Sequence, residues 1–299
     1  MAEVPGNAAK VPFDVGQCAT MACLLDIAIP KPGNVHRGAD FADATFLDFA
    51  VSAVAIAPAM ARGASQPVGE TIFQAIQATR EVVQTNTNLG IVLLLAPLAA
   101  VPPEVTPIRT GIADRLQALT PHDSQLIYDA VRLAKPGGLG SSSQMDVRHD
   151  AAPPSILDAM RWAADRDSVA RQYARNFSDL WESICPRLDE SCQAWGLPLG
   201  IIDTYVATLA EMPDSLIGRK LGFEAARAAS ARAAAVRDAG RPDSAAYRQA
   251  LSDLDFWLRS DGNRRNPGTT ADLVTAALFV GLREGWLRIR DAARAIQRP

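Results

Sequence analysis

The chain has 299 residues, 48% of them hydrophobic and 21% charged, with a formal net charge of −3. That composition excludes disorder as the main state, and a chain this long can bury a core without disulfides. It carries neither the basic excess nor the basic stripe of a nucleic-acid binder. Lysine occurs only at Lys10, Lys31, Lys135 and Lys220, so almost all the positive charge is arginine.

Apolar positions recur with the helical period, and alternating β-branched or aromatic runs are nearly absent. The pattern predicts helices near 12–28, 43–62, 68–84, 87–100, 109–118, 122–134, 154–164, 167–194, 198–211, 215–239, 243–259, 269–286 and 290–297. Proline and glycine mark the joints between them. The expectation is an all-α, single-domain multi-helix bundle of about a dozen helices spanning 1–299, with helix 87–100 as its buried centre, because that stretch carries no charge on any face.

The first residues hold Glu3 and Asp14 and no apolar run, so no signal peptide is expected. The apolar runs 50–61 and 89–101 are short for a bilayer and are interrupted by Pro58 and Pro97. The cysteines at 18, 23, 185 and 192 form no CxxC pair and lie far in sequence from the three histidines, which argues against zinc. Cys185 and Cys192, two turns apart, are expected as buried thiols on one helix face. These features point to a cytoplasmic protein with no membrane and no nucleic-acid partner; a homo-oligomer is compatible with them.

Nucleotide and hydrolase signatures such as GxxxxGK[ST], HExxH and GxSxG are missing. Chemistry must therefore come from side chains and helix ends. Three segments are too polar for packing alone. In 29–37 two prolines stiffen a loop presenting Lys31, Asn34, His36 and Arg37, donors and cations suited to phosphate oxygens, followed by Asp40 and Asp43 at the start of the next helix. Asp43 there is equally explained as an acidic residue favoured by a helix N-terminus. In 85–90 Asn86, Thr87 and Asn88 open the apolar helix, and Gly90 permits a close approach by a ligand or another backbone. In 263–272 Asn266, Thr269 and Asp272 enter a further helix. Thr269 and Asp272 fit a capping-box variant, and a first-turn carboxylate also suits Mg2+.

A weaker segment, 214–222, presents Arg219 and Lys220, and the glycine-rich stretch 136–154 reads either as a lid or as a plain surface loop. Basic and amide-rich loops with scattered Asp residues suit a polyphosphate substrate with Mg2+, whose transfer chemistry is mainly positioning and charge neutralisation.

At LLDIAIPKPGNVHR, DFADATFLDFAVSA, TNTNLGIVLLLAPLA, PGGLG with DVR, AMRWAADRDSVARQY, PDSLIGRK and NPGTTADL the sequence resembles the triphosphoribosyl-dephospho-CoA synthase family, from Leu24 to Leu287. The resemblance implies an all-helical enzyme that joins the 2′-hydroxyl of dephospho-CoA to the anomeric carbon of the ATP ribose, releasing adenine. Members known for that activity carry Glu where Asp26 stands and a His-Lys pair where Asn88-Leu89 stands, so the chain is more similar to the branch outside the citrate and malonate lyase operons.

On the matching positions, Asp40, Asp43 and Asp272 are implied as catalytic carboxylates, with Mg2+ on Asp43 and Asp272. Lys31, Arg219 and Lys220 are implied to neutralise triphosphate. Asn34, His36, Asn86, Asn88, Asn266 and Thr269 complete the substrate-binding set. Two other readings stay open: an ATP- or sugar-phosphate-dependent enzyme of another cofactor pathway, such as that of a one-carbon carrier, and a non-catalytic helical nucleotide-binding protein.

Overall fold

The computed structural model describes residues 13–137 and 144–289. The expected all-α fold is observed. In chain order the helices are α1 (Val15–Ala28), α2 (Phe46–Ala55), α3 (Ala57–Ala61), α4 (Val68–Val82), α5 (Leu89–Ala100), α6 (Ile112–Gln117), α7 (Pro121–Ala134), α8 (Ile156–Ala163), α9 (Ser168–Ala174), α10 (Cys185–Trp195), α11 (Leu197–Glu211), α12 (Ser215–Leu221), α13 (Phe223–Asp238), α14 (Ala245–Arg259) and α15 (Gly268–Glu284). Among the described residues the only β-type pairing is an isolated bridge between His36 and Ala39.

One apolar core runs from Cys18 to Leu287. Every residue of α5 except Gly90 is buried, as its uniform apolarity requires. α15, buried along most of its length, packs on α1, α5, α10, α11 and α12 and so joins the two ends of the chain. Pro97 sits inside α5 and lacks the N–H that would bond the Leu93 carbonyl one turn earlier. The buried Tyr173 hydroxyl of α9 donates to that carbonyl at 2.6 Å. A side chain 80 positions away thus completes the ladder that the proline interrupts.

Three predicted helices are divided. The 43–62 helix breaks at Ile56, where Pro58 starts a new turn. The 215–239 helix breaks at Gly222, whose φ of 90° belongs to the region glycine enters freely. The 167–194 helix stops at Arg175, turns through Asn176 and Phe177 at φ of 48° and 61°, and resumes as a π-helical turn, Leu180–Ile184, before α10. Full burial of the Phe177 ring holds it in that backbone conformation. The predicted helix at 290–297 lies outside the described residues.

The run Phe46–Ser65 meets the length and composition of a membrane span, with 33% of its window buried, although α2 and α3 divide it. All four cysteines are free; Cys18 and Cys23 are buried, and Cys185 and Cys192 on α10 are only partly so.

Tyr173→Phe should cost about 1–3 kcal/mol in urea unfolding, because it leaves the Leu93 carbonyl buried without a donor. In a Pro97→Ala background, which restores the missing N–H, the same substitution should cost clearly less.

Candidate active site

The 29–44 loop is fixed from outside. Tyr205 of α11 donates its hydroxyl to the Pro32 carbonyl at 2.8 Å, the Gly33 N–H donates to Asp255 Oδ1 of α14 at 2.7 Å, and Arg259 donates to the Asn34 carbonyl at 2.5 Å. Lys31 is 0% exposed. Its ammonium lies 3.0 Å from Asp26 Oδ1, donates to the Asp26 carbonyl at the end of α1, and stands 5.9 Å from the Tyr205 ring centroid.

Lys31 therefore does not present its charge to a ligand. A buried ammonium needs a matching carboxylate, and Asp26 takes it up. His36 is also turned to its own loop: Nδ1 accepts from the Gly38 N–H at 3.1 Å, and burial beside Arg259 and Lys31 holds its pKa below the usual value. Asp40 is exposed, and its carboxylate accepts the Phe46 N–H at 2.7 Å at the head of α2. Neither His36 nor Asp40 lines the cavity described below.

At the mouth of α5, Asn86 Oδ1 accepts the Leu89 N–H at 3.1 Å, and Thr87 pairs with Ser52 at 2.6 Å. Asn88 is buried; Nδ2 donates to Thr79 at 3.0 Å, while Oδ1 has no hydrogen-bond partner. Gly90 has a steric reason to be glycine: a Cβ there would lie 2.0 Å from Asp272 Oδ2. The carboxylate occupies the space a side chain would need.

Asp272 comes from the second turn of α15, and no side chain of α15 caps that helix. The expected Thr269–Asp272 capping box is absent. The buried Asp214 carboxylate, N-cap of α12, replaces it: Asp214 accepts from the Leu216 and Ile217 N–H groups at 2.9 and 3.0 Å, and from the Thr270 N–H and hydroxyl at 2.7 and 2.8 Å. Asp272 is thereby left uncapped and partly open to the cavity. Burial, reinforced by the negative charges of Asp26 and Asp214, pushes its carboxyl well above the ordinary carboxylate range, and Arg219 opposes this. Nearby, Asn34 Nδ2 donates to Asn266 Oδ1 at 2.6 Å, and Ser215 bonds the buried Thr269 hydroxyl at 3.1 Å. Arg219 pairs with Asp167, the N-cap of α9, at 2.5 Å. Lys220 is exposed near Asp43, itself exposed; partial burial lowers the lysine pKa and Asp43 counters that.

These pieces surround one cavity of about 600 Å3. Of the residues expected from sequence, Asn34, Asp43, Asn86, Asn88, Arg219, Lys220, Asn266, Thr269 and Asp272 line it; Lys31, His36 and Asp40 do not. Residues 138–143 of the suggested lid lie outside the described residues, but Gly137, Met145, Asp146 and Val147 beside them line the cavity. Asp146 is held by the Arg148 guanidinium at 2.8 Å.

Asp26, noted above only as a departure from the family pattern, and Asp167 are lining residues to which sequence reasoning gave no role. The signal for Asp26 was a lone carboxylate in the apolar end of α1, five positions before a lysine. Asp167 carried only the signal of a helix cap. Among the described residues no three His, Cys, Asp or Glu side chains gather closely enough to hold a metal alone.

Gly90→Ala should displace the Asp272 carboxylate, and turnover should fall about 100-fold with a much smaller change in melting temperature. Asp272→Asn has a separate signature in metal-free protein. The folded state holds the Asp272 proton more tightly than the unfolded chain does, so stability falls as pH rises from the ordinary carboxylate range through the raised pKa. Urea unfolding between about pH 4 and pH 8 should show that fall flattened in the Asn variant.

The sequence profile of the CitG family, described as ATP:dephospho-CoA triphosphoribosyl transferase, matches residues 12–291. A crystal structure from Archaeoglobus fulgidus, of a candidate triphosphoribosyl-dephospho-CoA synthase, superimposes with a TM-score of 0.61 at 23% identity, covering 79% of this chain and 99% of that one. No curated protein matches significantly. The structural likeness supports the fold, and the profile spans nearly the whole chain: this protein belongs to the ATP:dephospho-CoA triphosphoribosyl transferase family.

Proposed function

We propose that the cavity between α1, α5, α12 and α15 carries out the family's transfer of the triphosphoribosyl group from ATP to dephospho-CoA. The observation that carries this is a set of oxygens lining it. Oδ1 of Asn34 and of Asn88 are buried without a hydrogen-bond partner, and the Asp272 carboxylate lies against Gly90 in the same cavity. Buried polar atoms are normally satisfied, so a group of unpaired acceptors calls for a ligand bearing donors or a cation.

In the reaction the 2′-hydroxyl of dephospho-CoA attacks C1′ of the ATP ribose. The C1′–N9 bond breaks, and adenine leaves with a proton while the triphosphate stays on the product. The chain's share is to bind, orient and move that proton. Asp272 takes the hydroxyl proton. Arg219 and Lys220 line the side from which the triphosphate is neutralised, and Asn266 and Asn34 orient ribose and phosphate oxygens. Asp40, whose carboxylate is engaged at the head of α2, is not needed for the chemistry.

Mg2+ fits this donor set, since it is held by hard oxygens, commonly one or two carboxylates with substrate phosphates completing the shell. The amide oxygens of Asn34 and Asn88 would hold it, with Asp26 contributing only the carboxylate oxygen that does not face Lys31; Asp43, which is exposed, supports the earlier expectation less well. The ion would supply charge neutralisation to the triphosphate. Free thiols at all four cysteines fit a cytoplasmic setting.

Incubation with ATP, Mg2+ and dephospho-CoA should release adenine and give a product heavier by triphosphoribose, read by mass spectrometry. Asp272→Asn should remain folded and lose at least about 100-fold in rate, whereas Asp40→Asn should keep wild-type turnover. Nucleotide binding without adenine release would refute the transferase reading for this chain.

A further inference from the structure

The cavity lining changes character with the element that supplies it. The segments 26–43, 86–90 and 263–272 supply the carboxylates and amides described above. A second wall is built by α7 and α8: Ile127 and Val131 on α7 line the same space as Ile156, Ala159 and Met160 on α8, and Lys135 stands at the end of α7. Ile127, Val131 and Lys135 recur at four-residue intervals, so they form a stripe about 12 Å long on one face of that helix. Val131, Ala159 and Met160 keep partial exposure and Lys135 is exposed, whereas Ile127 and Ile156 are buried behind them.

The wall offers nothing that would read the edge of a base. Its one aromatic ring, Tyr128, is buried, with its hydroxyl donated to the Met145 carbonyl at 2.9 Å and the Arg132 guanidinium 5.8 Å from its centroid. A base needs a free ring face or side-chain hydrogen-bond partners in its plane. An elongated apolar stripe with a cation at its end suits instead a flexible, largely aliphatic chain. Of the two substrates only dephospho-CoA has one: the pantetheine arm, with its methylenes and geminal methyl groups. ATP places its adenine, ribose and triphosphate within reach of the polar end and has no aliphatic part to lay along the wall.

We propose that the α7–α8 wall is the acceptor subsite and selects dephospho-CoA by burying its pantetheine arm along Val131, Ala159 and Met160, which are backed by the buried Ile127 and Ile156. This rests on the reading of the cavity as the transferase site. It adds a division of labour: the polar end takes the donor and the apolar wall the acceptor.

The test uses the full chain and two variants at partly exposed positions, Val131→Asp, which puts a charge on the stripe, and Ala159→Phe, which narrows it. Thermal melting establishes that each is folded, and either folded variant suffices. Calorimetry measures the dissociation constants of dephospho-CoA, 4′-phosphopantetheine and Mg2+–ATP. Both variants should weaken dephospho-CoA and 4′-phosphopantetheine by about tenfold or more, the scale on which an apolar pocket discriminates, and leave Mg2+–ATP within about twofold.

Unchanged dephospho-CoA binding in a folded variant would overturn the assignment. So would an equal or larger loss for ATP, which would give the wall to the adenosine of the donor. Adenine release is assayed separately: its absence in the wild type would defeat the transferase reading, while the binding data would still decide what the wall holds.

Discussion

A lysine with no exposed surface has to have its charge matched inside the protein, and the pairing of Lys31 with Asp26 organises much of what surrounds it. The ammonium closes the C-terminus of α1 by taking the Asp26 carbonyl, one of the acceptors a helix end leaves open. It also holds the carboxylate of the same residue 3.0 Å away. The Tyr205 ring and the Tyr205–Pro32 hydrogen bond fasten the loop to α11. Removing either partner of such a pair strands a buried charge, at about 3–5 kcal/mol. The loop is consequently a rigid strut, which sets the position of Asn34 and, through it, Asn266.

The architecture was legible where one physical term dominates. α5 has only apolar side chains, and no arrangement but burial satisfies it. Helix breaks were less legible. Gly222 and Pro58 were visible as letters, but a helix interrupted by one of them is continued or broken according to what it packs against. The turn at Asn176–Phe177 exists because the core takes the Phe177 ring, a tertiary demand that local pattern does not encode.

The polar segments were legible as a group, and Asn86, Asn88, Asn266 and Asp272 do reach one cavity. Individual assignments fared worse for a common reason: a charged residue in a stiff loop looks the same whether it faces a ligand or a partner. Lys31 found Asp26, and His36 and Asp40 found backbone N–H groups. Asp26 was given no role because a single carboxylate in an apolar stretch says little until its cation is located. The capping box failed similarly: Thr269 and Asp272 have the right spacing, but Asp214 from another helix supplies the acceptor first.

The charge balance of the site carries the argument one step further. Its inner cations are already engaged, Lys31 with Asp26 and Arg219 with Asp167. Asp272 remains, its carboxyl raised by burial, and the exposed Asp43, Lys220 and Arg264 also line the cavity. A bare triphosphate entering such a site would meet carboxylates as well as cations, in surroundings where repulsion is only weakly screened. A divalent cation arriving with the nucleotide relieves it, and its positive charge also favours the ionised form of Asp272, the form that can take a proton. Binding of the donor is in this way linked to the state of the carboxylate that must later accept a proton. In this reading the cost of placing Asp272 against Gly90 links the filling of the site to its chemistry, because the carboxylate stays only partly open and without a cation partner until the substrates bring the charges it lacks.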